Sequence, residues 1–521
     1  MINIALPKSS YTGLVLPLLL LPLFLPVAPA FSRDLPAPVH RTLRQAGILE
    51  SAVSVYIHEI GTSQPLLQHN AGIPMNPASV MKLVTTYAGL ELLGPAYTWK
   101  TELYADGLRD GDTLRGNLII KGYGDPKLNL ENFWLLTRRL RQTGLREIAG
   151  DLILDTNYFQ LPSVNPAEFD GKPHRAYNVL PEALLVNYRA VSLRLIPTPE
   201  NGNVRVIVDP LPALLDLRNS LTLTPGACGD WRDALATDIR ANRENDGENH
   251  GRVSIALNGT YATDCGEKNL FLSVHENAYY IQSLFKQLWE EQGGTFHGRG
   301  IPGTVPDGLL PIEIHQSPPL ADIVRDINKF SNNTAARQLY LALGVAEPVV
   351  ESTAIVRATT LNPAVAGGQA SSEPMAPATL AKADASIRRW LASKRLHFPE
   401  LVMENGSGLS RNERISARHV GQLLLTAFQS PVMPEFISSL PIAAVDGTMK
   451  KRLNGSATAG QAHIKTGSLE GVQTMAGYMR DQSGKRLVVV FFVNHPNAGR
   501  AQAAMDMLLH WLYEQSVRSR G

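Results

Sequence analysis

The sequence is poor in cysteine: its 521 residues include two, Cys228 and Cys265. That scarcity excludes a disulfide-stapled scaffold, a multi-cysteine zinc domain and an iron–sulfur protein. Net charge is equally scarce, with 49 Lys and Arg against 47 Asp and Glu, a formal +2. No nucleic-acid partner is expected, because phosphate binding needs a basic stripe that this balance does not supply. Beyond the first thirty residues no run approaches 18 consecutive apolar side chains, so no membrane-spanning helix is expected there. The pairs His58-Glu59 and His275-Glu276 lack the second histidine of a zinc-binding helix face, and no G-x-x-x-x-G-K-[ST] phosphate loop occurs. Gly298, Gly300 and Gly303 fit the letters of a dinucleotide fingerprint, but no strand precedes them and Pro302 spoils a helix start. Gly406-Ser407-Gly408 lacks the spacer residues of a G-x-S-x-G elbow. The sequence calls for neither metal nor cofactor. What remains is a chain 44% hydrophobic, long enough for two to four domains with a large core.

The N-terminus narrows the compartment. Lys8 precedes the apolar run Leu14–Val27, and Ala28-Pro29-Ala30 supplies small residues of a cleavage site. Three prolines in the run, Pro17, Pro22 and Pro26, argue against a spanning helix. Residues 1–30 are expected to be an export signal, with the mature chain starting near Phe31. The C-terminal AAMDMLLHWLYEQSVRSRG is expected to pack its apolar face on the core, so membrane association is at most peripheral. Export would permit a Cys228–Cys265 disulfide, although two buried free thiols fit the sequence as well.

Periodicity reads as an α/β chain. ESAVSVYIHEI suggests a strand, and Asn76-Pro77 an N-cap and first position of a helix closed by Gly94. TELYADG with TLRGNLIIKG suggests a hairpin, LENFWLLTRRLRQTG a helix and REIAGDLILD one strand. Strands VSLRLI, VRVIVD, RVSIALNG and NLFLSV follow, with an exposed loop at ANRENDGENHG. Helical periodicity returns over Ala278–Gln292 and over Leu320–Leu343, a Gly/Ala/Ser/Pro-rich loop over 361–377, and then GQAHIKTG, VQTMAGYMR and RLVVVFFVN as strands before the last helix. The expected division is one domain from 31–100 and 305–521, split by an inserted region at 101–304 that holds two small domains.

Three short elements carry the chemistry: Ser79-Val80-Met81-Lys82, Ser331-Asn332-Asn333 and Lys465-Thr466-Gly467. Ser79 falls in the first turn of the helix after Asn-Pro, where free N–H groups favour developing negative charge. Lys82 is one turn on, within reach of the Ser79 hydroxyl. A second S-x-x-K, Ser283–Lys286, lies inside an amphipathic helix with no such start. A serine needs a base to become a nucleophile, and a lysine serves only when burial and a second cation depress its pKa. Lys465 is the candidate second cation, Ser331 a candidate proton carrier and Asn333 a candidate ligand for the substrate backbone. Gly467 would admit a substrate strand along the sheet edge. The N–H groups of Ser79 and Ser468 would form an oxyanion hole. Lys465, Thr466 and Ser468 would hold a terminal carboxylate.

This trio in this order resembles the penicillin-binding protein and serine β-lactamase superfamily. The stretches NPASVMKLVTTYAGLELLG, IKGYGDPKL, INKFSNNTAARQLYLALG, ENGSGLSR, SLPIAAVDGTMKKRL and IKTGSLEGVQTMAGY are together similar to the D-Ala-D-Ala carboxypeptidase/endopeptidase family of the penicillin-binding protein 4 (DacB, peptidase S13) type. The resemblance spans essentially the whole mature chain. It implies an antiparallel sheet flanked by helices, the transpeptidase-like fold, with a large strand-rich insertion. It also implies a periplasmic enzyme acting on peptidoglycan stem peptides and cross-bridges through an acyl-enzyme on Ser79, and acylated by β-lactams. The sequence departs from that pattern at Asn405, where the family often carries Asp. The alternatives are a serine β-lactamase and a non-catalytic wall-binding protein on the same fold. The long insertion and the lack of an obvious deacylating Glu motif weigh against the first, the three intact motifs against the second.

Overall fold

The run Val488–Val493 is apolar at every position, and the computed structural model shows that both faces of its strand are buried. Successive side chains of a strand point to opposite faces. Val488, Val490 and Phe492 accordingly join one core, while Val489, Phe491 and Val493 join another. The strand, Arg486–Asn494, is central in a five-stranded antiparallel sheet of order Ala462–Leu469, Val472–Arg480, Arg486–Asn494, Val53–Glu59 and Leu67–His69. Helices Ala37–Gln45 and Gln502–Arg518 cover one face through Val39, Leu43, Met505, Leu508 and Leu509. The last helix thus buries its apolar side on the sheet. On the other face lie helices Lys82–Leu92, Leu320–Phe330, Asn333–Ala342, Leu380–Ser393 and Ala417–Phe428. The structure describes Ile2, Ala5 and residues 34–212, 215–241, 252–345 and 376–518. The export signal apart from Ile2 and Ala5, most of the loop at 241–251 and nearly all of 361–377 lie outside these residues. Among the described residues no helix is long and apolar enough to cross a membrane.

Two further sheets interrupt this body in the chain. The expected hairpin forms as Lys100–Asp110 with Thr113–Gly122 in a seven-stranded sheet. REIAGDLILD makes two strands there, Glu147–Ile148 and Leu152–Asp155. Between them, the amides of Ala149 and Gly150 turn to the carbonyls of Leu114 and Gly116. The edge strand of this sheet, Glu313–Gln316, pairs with Lys100–Leu103, so the sheet draws on residues beyond 304. The third sheet has six strands and includes Leu215–Thr224 and Leu235–Ala241, which the sequence pattern did not single out. Cys228 and Cys265 are joined as a disulfide beside it, with Cys265 buried in the core shared by these two sheets.

The helical periodicity over Leu320–Leu343 is real but not continuous. The first helix ends at Phe330, Ser331 adopts a left-handed conformation (φ 56°, ψ 38°), and the next begins at Asn333. Asn332 caps that second helix by accepting the Ala335 amide at 3.0 Å. Residue spacing does not register one left-handed residue, because the apolar pattern resumes in nearly the same phase.

Candidate active site

The site begins at a clamped turn. Asn76 and Pro77 do not start a regular α-helix: Ala78 has φ 46°, residues Ala78–Met81 form a 3-10 turn, and the α-helix runs from Lys82 to Leu92. Asn76 is not the cap of either: Pro77 precedes the 3-10 turn and Met81 the α-helix, neither with a side-chain cap, and the Asn76 Oδ1 instead accepts the Ala78 amide at 2.9 Å. Neighbours hold the unusual turn in place. Thr474 donates to the Pro77 carbonyl at 2.7 Å, and Asn494 accepts from the Asn76 amide at 2.8 Å. Two glycines allow the approach. A Cβ on Gly408 (φ 79°) would lie 1.9 Å from the Ala78 carbonyl oxygen, and one on Gly467 would lie 2.3 Å from Thr474 Oγ1 and 2.8 Å from the Ser79 amide nitrogen. Strain in a sparsely populated conformation persists only where its surroundings enforce it, as they do at Ala78 and at Ser331.

Lys82 is fully buried and donates three hydrogen bonds: to Ser79 Oγ at 2.9 Å, Asn333 Oδ1 at 2.7 Å and the Ser407 carbonyl at 2.5 Å. Burial holds its pKa well below the usual lysine range; Lys465 and Arg337 push the same way, while Glu413 opposes them. The three acceptors are not equivalent. An amide oxygen and a backbone carbonyl can only accept, whereas a serine hydroxyl can also donate. When Lys82 is neutral its two N–H groups stay on Asn333 and Ser407, and its lone pair faces Ser79. The geometry therefore aims the free amine at the serine proton.

A second lysine–serine pair faces this one. Lys465, also fully buried, donates to Ser331 Oγ at 2.9 Å and to the Thr466 carbonyl at 2.7 Å. Burial pushes its pKa down to about 7. Thr466 donates to Thr448 Oγ1 at 2.7 Å. Lys465, Thr466 and Gly467 lie on the outermost strand of the five-stranded sheet. Its outer side takes up Ile442 and Pro441 near His463 and Ile464, and no further strand pairs there among the described residues. An extended peptide thus has an edge to lie along. Ser468 is exposed on the same strand and its side chain is not drawn into the network. The other S-x-x-K falls elsewhere: Ser283 is buried in the helix Asn277–Glu291, and Lys286 pairs with Glu290 at 3.9 Å.

The structure adds residues that the motifs do not name. The Ser407 carbonyl, within the dismissed Gly-Ser-Gly, is a ligand of Lys82, and Asn405 shapes that loop. Its Oδ1 accepts from the Ser407 amide at 2.9 Å and hydroxyl at 2.6 Å, and its Nδ2 donates to the Leu409 carbonyl at 3.0 Å. Arg337 is one turn along the helix from Asn333, a spacing that sequence alone could have flagged. Burial lowers its pKa to about 10. The inserted region also reaches the site: Asn333, Arg337 and Gln338 donate to the carbonyls of Tyr177, Val179 and Glu182. Beyond Arg337 and Asn405 a cavity of about 480 Å³ opens between Phe159, Leu161, Pro181 and Glu404.

The profile of the D-Ala-D-Ala carboxypeptidase 3 (S13) family matches residues 35–363 and 364–514. A D-alanyl-D-alanine carboxypeptidase from an Actinomadura species is 27% identical over 475 residues, 88% of this chain and 80% of that one. The D-alanyl-D-alanine carboxypeptidase DacB of Haemophilus influenzae is 23% identical over 451 residues, 86% of each chain. The crystal structure of penicillin binding protein 4 (dacB) from Haemophilus influenzae superposes with a TM-score of 0.69 at 21% identity, covering 90% of this chain and 99% of that one.

Proposed function

The chain belongs to the D-Ala-D-Ala carboxypeptidase 3 (S13) family, and from that premise we propose that it is a penicillin-binding serine peptidase of peptidoglycan, cleaving D-Ala-D-Ala stem-peptide ends. The observation that carries this reading is the coordination of Lys82, whose two obligate acceptors leave Ser79 as the partner of its lone pair. The substrate strand lies along Ala462–Leu469, with its terminal carboxylate toward Lys465, Thr466 and Ser468. Lys82 takes the Ser79 proton as Oγ attacks the penultimate carbonyl. The amides of Ser79 and Ser468 receive the developing oxyanion. Ser331, held by Lys465, relays that proton from the Lys82 ammonium to the leaving D-Ala nitrogen, which returns Lys82 to the free amine. Water then attacks the acyl-enzyme, and Lys82 accepts its proton and returns it to Ser79 Oγ as the ester bond breaks.

Three finer statements belong to the same proposal. The chemistry extends to cross-bridges whose scissile bond follows D-Ala, which makes the enzyme an endopeptidase as well. Residues 1–30 direct it to the periplasm. The inserted region extends to Gln316, because Glu313–Gln316 completes its sheet. Incubation with a D-Ala-D-Ala-terminated pentapeptide, a purified cross-linked muropeptide and penicillin tests the function. Release of D-Ala with slow release of penicilloate is expected. Rapid penicillin turnover with inert peptides would make the chain a lactamase, and inertness toward all three would make it a binding protein.

A further inference from the structure

The loop that supplies the Ser407 carbonyl to Lys82 is anchored by a residue outside the three motifs. Glu413 is fully buried. Its Oε1 accepts the backbone amides of Glu404 at 3.1 Å and Asn405 at 3.2 Å. The chain then presents the Gly406 carbonyl to Thr85 Oγ1 at 2.7 Å and the Ser407 carbonyl to Lys82 at 2.5 Å. One carboxylate oxygen thus fixes the approach of Lys82's backbone acceptor. The other, Oε2, is buried with no hydrogen bond.

Anchoring alone does not call for a charge. A neutral amide oxygen accepts two N–H groups equally well, and a buried carboxylate with a bare oxygen costs desolvation. The charges around it supply a reason. Lys82 and Arg337 both interact electrostatically with Glu413, Arg337 from the helix Asn333–Ala342, itself buried with its Nε unpartnered. Lys465 adds a third buried cation acting on Lys82. On the anionic side is Glu404, whose carboxylate accepts from Ser410 and Asn412; the buried Tyr340 phenol, held protonated by burial, adds no charge. Burial raises the Glu413 carboxyl to about 7, against the pull of the two backbone amides and Lys82.

We propose that Glu413 is a positioning residue for acylation: its buried carboxylate holds the Gly406–Ser407 turn on Lys82 and, opposed by Arg337, sets the pH at which Lys82 becomes a base. This rests on the reading of Ser79 and Lys82 as nucleophile and base. Acylation rises with pH as Lys82 loses its proton. A neighbouring carboxylate favours the ammonium, and a neighbouring guanidinium disfavours it. Removing Glu413's charge therefore moves the acid limb to lower pH, and removing Arg337's charge moves it to higher pH.

The test is the second-order rate of acylation by a fluorescent penicillin between pH 4 and 10. Glu413→Gln, which keeps an acceptor for the two amides, is expected to shift the midpoint down by less than about one pH unit, because Glu413 carries its full charge only above about pH 7. Arg337→Met is expected to shift it up. A Glu413→Gln midpoint equal to wild type, or shifts of one sign in both variants, overturns the proposal. Should Glu413→Gln not fold, the charge-balanced Arg337→Met/Glu413→Gln chain is compared with Arg337→Met. A midpoint returned toward wild type supports the proposal, and equal midpoints overturn it. Wild type that forms no acyl-enzyme on Ser79 removes the underlying reading instead, so the two failures are distinguishable.

Discussion

The two buried lysines of the site are the same residue type at the same burial, each 2.9 Å from a serine hydroxyl, yet they are solvated differently. Lys82 has three acceptors drawn from three separate segments and lies among Lys465, Arg337 and Glu413. Lys465 has two acceptors, one of them the carbonyl of its neighbour Thr466, and sits at the open edge of a sheet. The first environment defines a lone-pair direction. The second leaves a cation with unused donor capacity at the edge where the proposed substrate strand would lie. On the proposed reading, identical side chains take up the roles of base and carboxylate anchor because of what surrounds them.

The comparison breaks most sharply under substitution at the first pair. Ser79→Ala is expected to abolish acylation by penicillin, and Lys82→Met to slow it roughly a thousandfold, as measured by the rate of covalent labelling. Lys465→Met removes the charge-assisted contact proposed for the substrate carboxylate. It is expected to lower kcat/KM on a D-Ala-D-Ala peptide by roughly fiftyfold. In wild type KM should climb as pH passes about 7, because Lys465 is cationic below that pH and neutral above it; in Lys465→Met that climb should vanish. Asn333→Ala leaves neutral Lys82 with one obligate acceptor, so its lone pair is no longer fixed. A loss of about tenfold in acylation is expected. Replacing Cys228 and Cys265 together by Ser opens a crosslink with a sequence separation of 37 residues. It is expected to destabilise the inserted region by about 2–4 kcal/mol in denaturant melts while leaving the acylation rate within about twofold.

What the sequence could reveal follows the same division. Ser79 and Lys82 were legible because three residues along a helical chain put them on one face. Strands such as Arg486–Asn494 were legible because a wholly apolar run fits a strand buried on both sides. The left-handed turns at Ala78 and Ser331 were not, since contacts with distant segments enforce them. The Ser407 carbonyl is a backbone atom, which no residue letter announces. Glu413 reads as an ordinary charge next to two arginines, Arg411 and Arg414, until burial and its distance from solvent are known. Asn405, a departure when read as a letter, works in the fold as an amide that both accepts and donates within one loop.

The most direct measurement is the mass-spectrometric location of the penicilloyl group on the intact wild-type chain after brief exposure to penicillin. A single adduct on the peptide containing Ser79, absent from the Ser79→Ala chain, is the predicted result. An adduct on another residue, or undiminished labelling of Ser79→Ala, would contradict the assignment of Ser79 as the nucleophile that Lys82 is arranged to deprotonate.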